Sequence, residues 1–208
     1  MRLIVFILLF SMHCVGTAQN SSTSLFDLDK AIAQFDALQD KGACIKLDQT
    51  FTQLSSSHPN NWLPFYYSAL VKIKLSMYKD KDAETYADQA IAAILKAKQL
   101  QLNDEVLCVE SLAYSTKMSL RPVLRWFSYE QKIKQPLSEA KKLNSNNPRV
   151  YVLEAMLYHK LPSILGGSCE TALPLAKKAI QLLRQQNNTQ KPHWGMHSAM
   201  EVVKGCSF

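Results

Sequence analysis

The chain has 208 residues, 47% hydrophobic and 20% charged, with a formal net charge of +7. That size suits one ordinary domain or a short solenoid with a continuous core. With 6 glycines kept to a few junctions and no alternating Val/Ile/Thr run, the composition argues against a sheet and for an all-α chain.

Charge is uneven. Residues 19–120 hold 10 Lys/Arg against 12 Asp/Glu, and residues 121–208 hold 13 against 5. A basic half can mark a nucleic-acid partner. Here the cations are spread along helices (Lys132/Lys134, Lys141/Lys142, Lys177/Lys178/Arg184) without Arg-Gly or aromatic-basic interleaving. They read as a solvated face, and no nucleic-acid partner is expected.

The first 18 residues read as a secretory leader. Arg2 precedes the apolar run Leu3–Met12, which is too short to span a bilayer, and Gly16-Thr17-Ala18 supplies small residues for cleavage after Ala18. The mature chain would begin at Gln19 and reside in the periplasm or outside the cell. Lipidation at Cys14 is disfavoured, because Met12 and His13 stand where a lipobox wants small residues. No later run approaches a spanning helix. Removing the leader leaves Cys44, Cys108, Cys169 and Cys206, an even number in a compartment that permits disulfides. Cys44 and Cys108 lie on apolar helix faces and read as buried thiols. A Cys169–Cys206 bridge would pin the C-terminal tail to the last hairpin.

In chain order, an apolar stripe (Leu25, Leu28, Ile32, Phe35, Leu38) predicts a helix over 24–40, closed by Lys41-Gly42. A second follows over 43–55. Ser55 to Pro59 ends this first hairpin, spanning 24–56. The second hairpin, 59–100, carries Trp62, Phe65, Tyr66 and Leu70 on one helix and Ala83, Ala87 and Ala90 on the next. Asn103-Asp104-Glu105 opens the third, 103–143. Pro136 predicts a kink or a loop in its second helix. The fourth, 147–186, pairs 148–160 with 168–184, Ser168 serving as N-cap. A closing cap is expected over 192–204.

Two stretches repeat. Aligning Pro148 with Pro59 places Ala172, Ala176 and Ala179 at the offsets of Ala83, Ala87 and Ala90, Tyr151 opposite Trp62, and Ile180 opposite Ile91. Proline, an aromatic three residues on, then small residues four and three apart resembles the tetratricopeptide pattern. The spacing from proline to alanine is about five residues longer than the standard repeat. The chain is thus similar to small exported bacterial tetratricopeptide-like proteins, including the periplasmic T-component of some TRAP-type transporters. The resemblance implies a right-handed α-α superhelix of three or four helix pairs and a helper that binds a partner or solute without catalysis. It also implies a concave groove with contacts from Asn60, Leu63, Tyr67, Leu70 and Val71, from Asp104, Leu107, Ser111, Tyr114 and Ser115, and from Arg149, Val152, Met156, His159 and Lys160. Such a surface would suit a protein or peptide, an acidic one above all, or a small organic anion. A solute held in a cavity between hairpins is the alternative.

Other constellations read more plainly. Gly166-Gly167-Ser168 resembles an anion cradle but lacks the GxxxxGK[ST] spacing and a preceding strand, which favours a turn with an N-cap. His193 and His197 are four apart and would need Cys206 or Glu201 as a third metal ligand, with no HExxH motif. No catalytic set has a recognisable signature. Neither an enzyme activity, a cofactor nor a metal is expected.

Overall fold

A computed structural model describes residues 20–38, 40–186 and 192–207. The leader, with its cleavage point and Cys14, lies outside the described residues. Among those residues the chain is all-α. Its helices are α1 (Asn20–Asp36), α2 (Lys41–Ser57), α3 (Trp62–Ser76), α4 (Ala83–Leu100), α5 (Asp104–Ser119), α6 (Pro122–Leu143), α7 (Pro148–Lys160), α8 (Cys169–Gln185) and α9 (Met196–Gly205). A 3-10 turn, Ser163–Leu165, lies between α7 and α8.

Local chemistry sets many of the boundaries. The side chains of Asp40, Asn61, Asn103, Asn147 and Ser168 each accept a hydrogen bond from a first-turn amide of the helix that follows. Each such cap is worth about 1 kcal/mol. Pro122 and Pro148 occupy first helical positions, where a missing amide costs nothing. The Gly166-Gly167-Ser168 segment is a turn with an N-cap. Gly166 takes a left-handed φ of 87°, and a Cβ on Gly167 would stand 1.7 Å from the Leu161 carbonyl oxygen.

Pro136 does not divide its helix. α6 runs as one element of 22 residues with Pro136 inside it. The proline removes the amide that would reach the Lys132 carbonyl. Burial of Ile133, Pro136, Leu137 and Ala140 on one face holds the helix through that turn. The Ser111 hydroxyl donates to the neighbouring Ile133 carbonyl at 2.8 Å and ties α6 to α5 there.

Sequential helices pack most extensively as the pairs α3/α4, α5/α6 and α7/α8. In addition α3 touches α5 and α5 touches α7, so these three form an inner row. α9 closes on α7 and α8. The small residues act as expected of close crossings: Ala83, Ala87, Ala90, Ala172, Ala176 and Ala179 are all at most 3% exposed. The two repeats agree in this alanine register but not at their starts. α7 begins on Pro148, whereas α3 begins at Trp62, three residues past Pro59.

The inner row is joined by one buried polar network. Arg149, fully buried on α7, pairs with Glu105 of α5 at 3.1 Å. Glu105 also accepts from Tyr66 of α3 at 3.1 Å and from Asn147 at 2.8 Å. The guanidinium further donates to the Pro192 carbonyl and to Gln186. Trp194 donates to the Tyr66 hydroxyl at 2.9 Å. Burial pushes the Glu105 carboxyl up, and the Arg149 charge opposes that shift. Removing one member of a buried pair strands the other. Arg149→Met, which keeps the apolar stem, is therefore expected to lower unfolding free energy by about 3–5 kcal/mol in a denaturant titration. A loss below about 1 kcal/mol, the range of an exposed pair, would contradict this role.

Candidate functional site

α7 ends at Lys160, but α8 does not begin until Cys169. The intervening chain, with Pro162, Ile164 and Leu165, walls one side of a cavity of about 460 Å³. α5 supplies the floor with Ser111, Leu112, Ser115 and Met118. The start of α6 adds Pro122, Val123, Trp126 and Phe127, and the end of α7 adds Met156, Leu157 and Lys160. Met77, just past α3, reaches the same space.

Its walls are mostly apolar side chains, and three of the four lining hydroxyls are already engaged. Besides Ser111, Thr116 donates to the Leu112 carbonyl at 2.9 Å and Ser119 to that of Thr116 at 2.8 Å. Helical Ser and Thr commonly bond back in this way. At the mouth the balance reverses: Val123, Phe127 and Ile164 are 88%, 84% and 90% exposed. Single exposed apolar residues are ordinary, but three around one opening form a candidate binding surface. Lys160 is the one charged residue of the lining, and no ion pair engages it among the described residues. Metal-capable atoms in the lining are the sulfurs of Met77, Met118 and Met156 and the Lys160 amine; no His, Cys or Tyr lines it.

A charge cluster braces the α6 end of the mouth. Glu84 on α4 accepts from Lys117 of α5 at 2.6 Å and from Arg125 of α6 at 2.9 Å, with Arg121 at 3.4 Å. Hydrogen bonds from Arg125 and then Lys117 hold the Glu84 carboxyl down at about 2.

The residues expected to line a concave groove are scattered. Ser111, Ser115, Met156 and Lys160 line the cavity, with Ser111 itself buried. Tyr67 is 1% exposed in the core, stacked on Phe51 at 5.5 Å, and Arg149 is the buried cation of the inner row. Asp104 accepts from Asn144 and Asn147, both at 2.8 Å, while Asn60 is exposed just before α3. Tyr114 meets Tyr129 edge-on at 6.1 Å, with Lys132 over both rings. Sequence reasoning missed Trp126, Phe127, Val123 and Ile164 as site residues. For Val123, Phe127 and Ile164 the signal was large apolar side chains next to Pro122 and Pro162, off any core stripe, whereas Trp126 shares the buried face of α6 with Ile133.

His159 belongs elsewhere, on the far side of the α7 terminus. Cys169 and Cys206 form a disulfide that spans 37 residues and joins α8 to the end of α9. His159 Nδ1 stands 3.7 Å and 3.3 Å from their sulfurs. His193 and His197 are both exposed, and Cys206 groups with His159 and not with them. Cys44 and Cys108 are buried thiols, and burial raises both above the ordinary thiol range.

The described residues are thus an all-α array of helix pairs with an open, largely apolar cavity between the third and fourth. No protein-family model matches the chain, and no curated protein does. Among solved structures it is similar to the HusA haemophore from Porphyromonas gingivalis, with a TM-score of 0.78 and 24% identity over 92% of this chain and 95% of that one. At that identity the likeness speaks for the fold. Among the described residues, no helix is long and apolar enough to cross a membrane.

The brace has a pH signature. A carboxyl lowered from 4.5 to about 2 contributes stability above pH 4.5 and loses it as pH falls towards 2. The contribution is modest, because the Glu84 side chain is 34% exposed and screened by solvent. Denaturation midpoints measured between those pH values should fall on acidification, and less steeply in Glu84→Gln. Equal slopes would show that Glu84 carries no such linkage.

Proposed function

We propose that the chain is an exported, non-enzymatic binding protein that holds a flat, largely apolar ring ligand of the porphyrin class in the cavity between α5, α6 and α7. The observation that carries this reading is the exposed apolar mouth formed by Val123, Phe127 and Ile164 over an apolar interior. Covering such surface stabilises by about 25 cal/mol for each Å² of apolar area removed from water, before the costs of association. The overlap with a protein named as a haemophore supports the ligand class. Lys160 at the rim suits a carboxylate on the ring edge, while the faces rest on Leu112, Met118, Trp126 and Leu157. The leader of residues 1–18 would place this carrier in the periplasm or outside the cell.

The helix pairs in order fit a tetratricopeptide-like superhelix. A peptide groove along the inner row is less well supported, because Tyr67 and Arg149 present almost no surface to a partner. A solute held between hairpins makes better use of this architecture.

Titration of residues 19–208 with haemin and with a metal-free porphyrin tests the reading, through porphyrin absorbance and quenching of Trp126. Saturable one-to-one binding is expected. Ser115→Trp, which fills the cavity, and Val123→Glu/Ile164→Glu, which charges its mouth, should each weaken it at least tenfold, or about 1.4 kcal/mol. Lys160→Ala should weaken it about threefold, as for an exposed charge pair. Absent saturation, or variants that bind like the wild type, would overturn the proposal.

A further inference from the structure

The disulfide at the end of α9 has an imidazole on it that the ligand cavity does not use. His159 Nδ1, Cys169 Sγ and Cys206 Sγ all lie within 4.8 Å of one another. Two ligands of a tetrahedral zinc, one sulfur and one nitrogen, stand about 3.6 Å apart. The two nitrogen–sulfur distances, 3.3 Å and 3.7 Å, straddle that value. Only the sulfur–sulfur separation is wrong for a metal, because the two atoms are bonded. From this geometry we propose that reduction converts the disulfide into a three-ligand site for a thiophilic cation, Zn²⁺ or Cu⁺, made of Cys169, Cys206 and His159.

The frame that holds these groups does not depend on the sulfur–sulfur bond. The Ser168 amide donates to the Tyr158 carbonyl at 3.0 Å, fixing the start of α8 beside the end of α7. α9 packs on both through Val202 against Ala155, Ala172 and Ala176. The imidazole rests on Gly205, where a Cβ would come within 2.7 Å of the ring. Ring and cysteine backbones thus stay in register when the bond is cut. Cys169 is exposed, which leaves a fourth position to water.

The chemistry balances. A dithiol supplies two electrons and two protons, becoming a disulfide itself, and leaves two protein thiols. Zn²⁺ then displaces both thiol protons and takes the lone pair of the neutral imidazole. The oxidised chain has no thiolate to offer there, so occupancy reports redox state. This site lies apart from the ligand cavity and does not rest on the ligand proposed for it.

The test uses the chain of residues 19–208, oxidised or reduced with a phosphine that does not itself bind the metal, titrated with Co²⁺ and then Zn²⁺. The reduced chain should take up one equivalent of Co²⁺ with a thiolate-to-cobalt charge-transfer band, and Zn²⁺ should displace it. The oxidised chain should take up none. His159→Ala should weaken Co²⁺ binding at least tenfold and keep the band, since both thiolates remain. Cys169→Ser/Cys206→Ser should abolish both, with the helical circular dichroism signal retained to show that it is folded. No stoichiometric uptake by the reduced chain would overturn the proposal. So would unchanged binding by the double variant, which would transfer the signal to Cys44 and Cys108.

Discussion

Arg149 is a cation with no exposed surface, held by Glu105 from the neighbouring inner helix and by the chain leading into α9. Tyr66, Asn147 and Trp194 complete its surroundings, so three inner helices and the C-terminal segment meet at one charge. An ion pair out of water repays its desolvation only when geometry and extra hydrogen bonds are good. Here they fix how α3, α5 and α7 sit side by side at one end. At the other end α5, α6 and α7 part, and the cavity opens there. Rigid at Arg149 and open at Lys160, α7 links the two.

Much of the fold was legible from periodicity and punctuation. Asn103 opens α5, Ser168 caps α8, Pro148 starts α7, and the alanine register is the seam of the helix pairs. Pro136 opens no loop, because burial of Ile133, Leu137 and Ala140 carries the helix through it. The site was harder to read. Positions carried over from the tetratricopeptide resemblance assume a standard repeat, and the five additional residues before the alanines change what the repeat does. In the fourth pair the connection carries the turn of Ser163–Leu165 that walls the cavity. An irregular length was the better pointer to the cavity than the regular spacing.

The burial of Tyr67 and Arg149 follows from the same departure. An inner row locked by an aromatic core and a buried ion pair offers little to a threaded peptide. The exposed apolar surface is local instead, at Val123, Phe127 and Ile164. The end of α7 faces two ways without overlap: Leu157 and Lys160 line the cavity, while His159 faces the disulfide.

The most direct measurement is methyl NMR of methionine-labelled chain of residues 19–208 with a diamagnetic, metal-free porphyrin. Met77, Met118 and Met156 line the cavity, whereas Met196 and Met200 lie on α9. A porphyrin seated between α5, α6 and α7 should shift the first three methyl signals through its ring current and leave the α9 pair in place. Shifts confined to Met196 and Met200, or none at saturating porphyrin, would contradict the account.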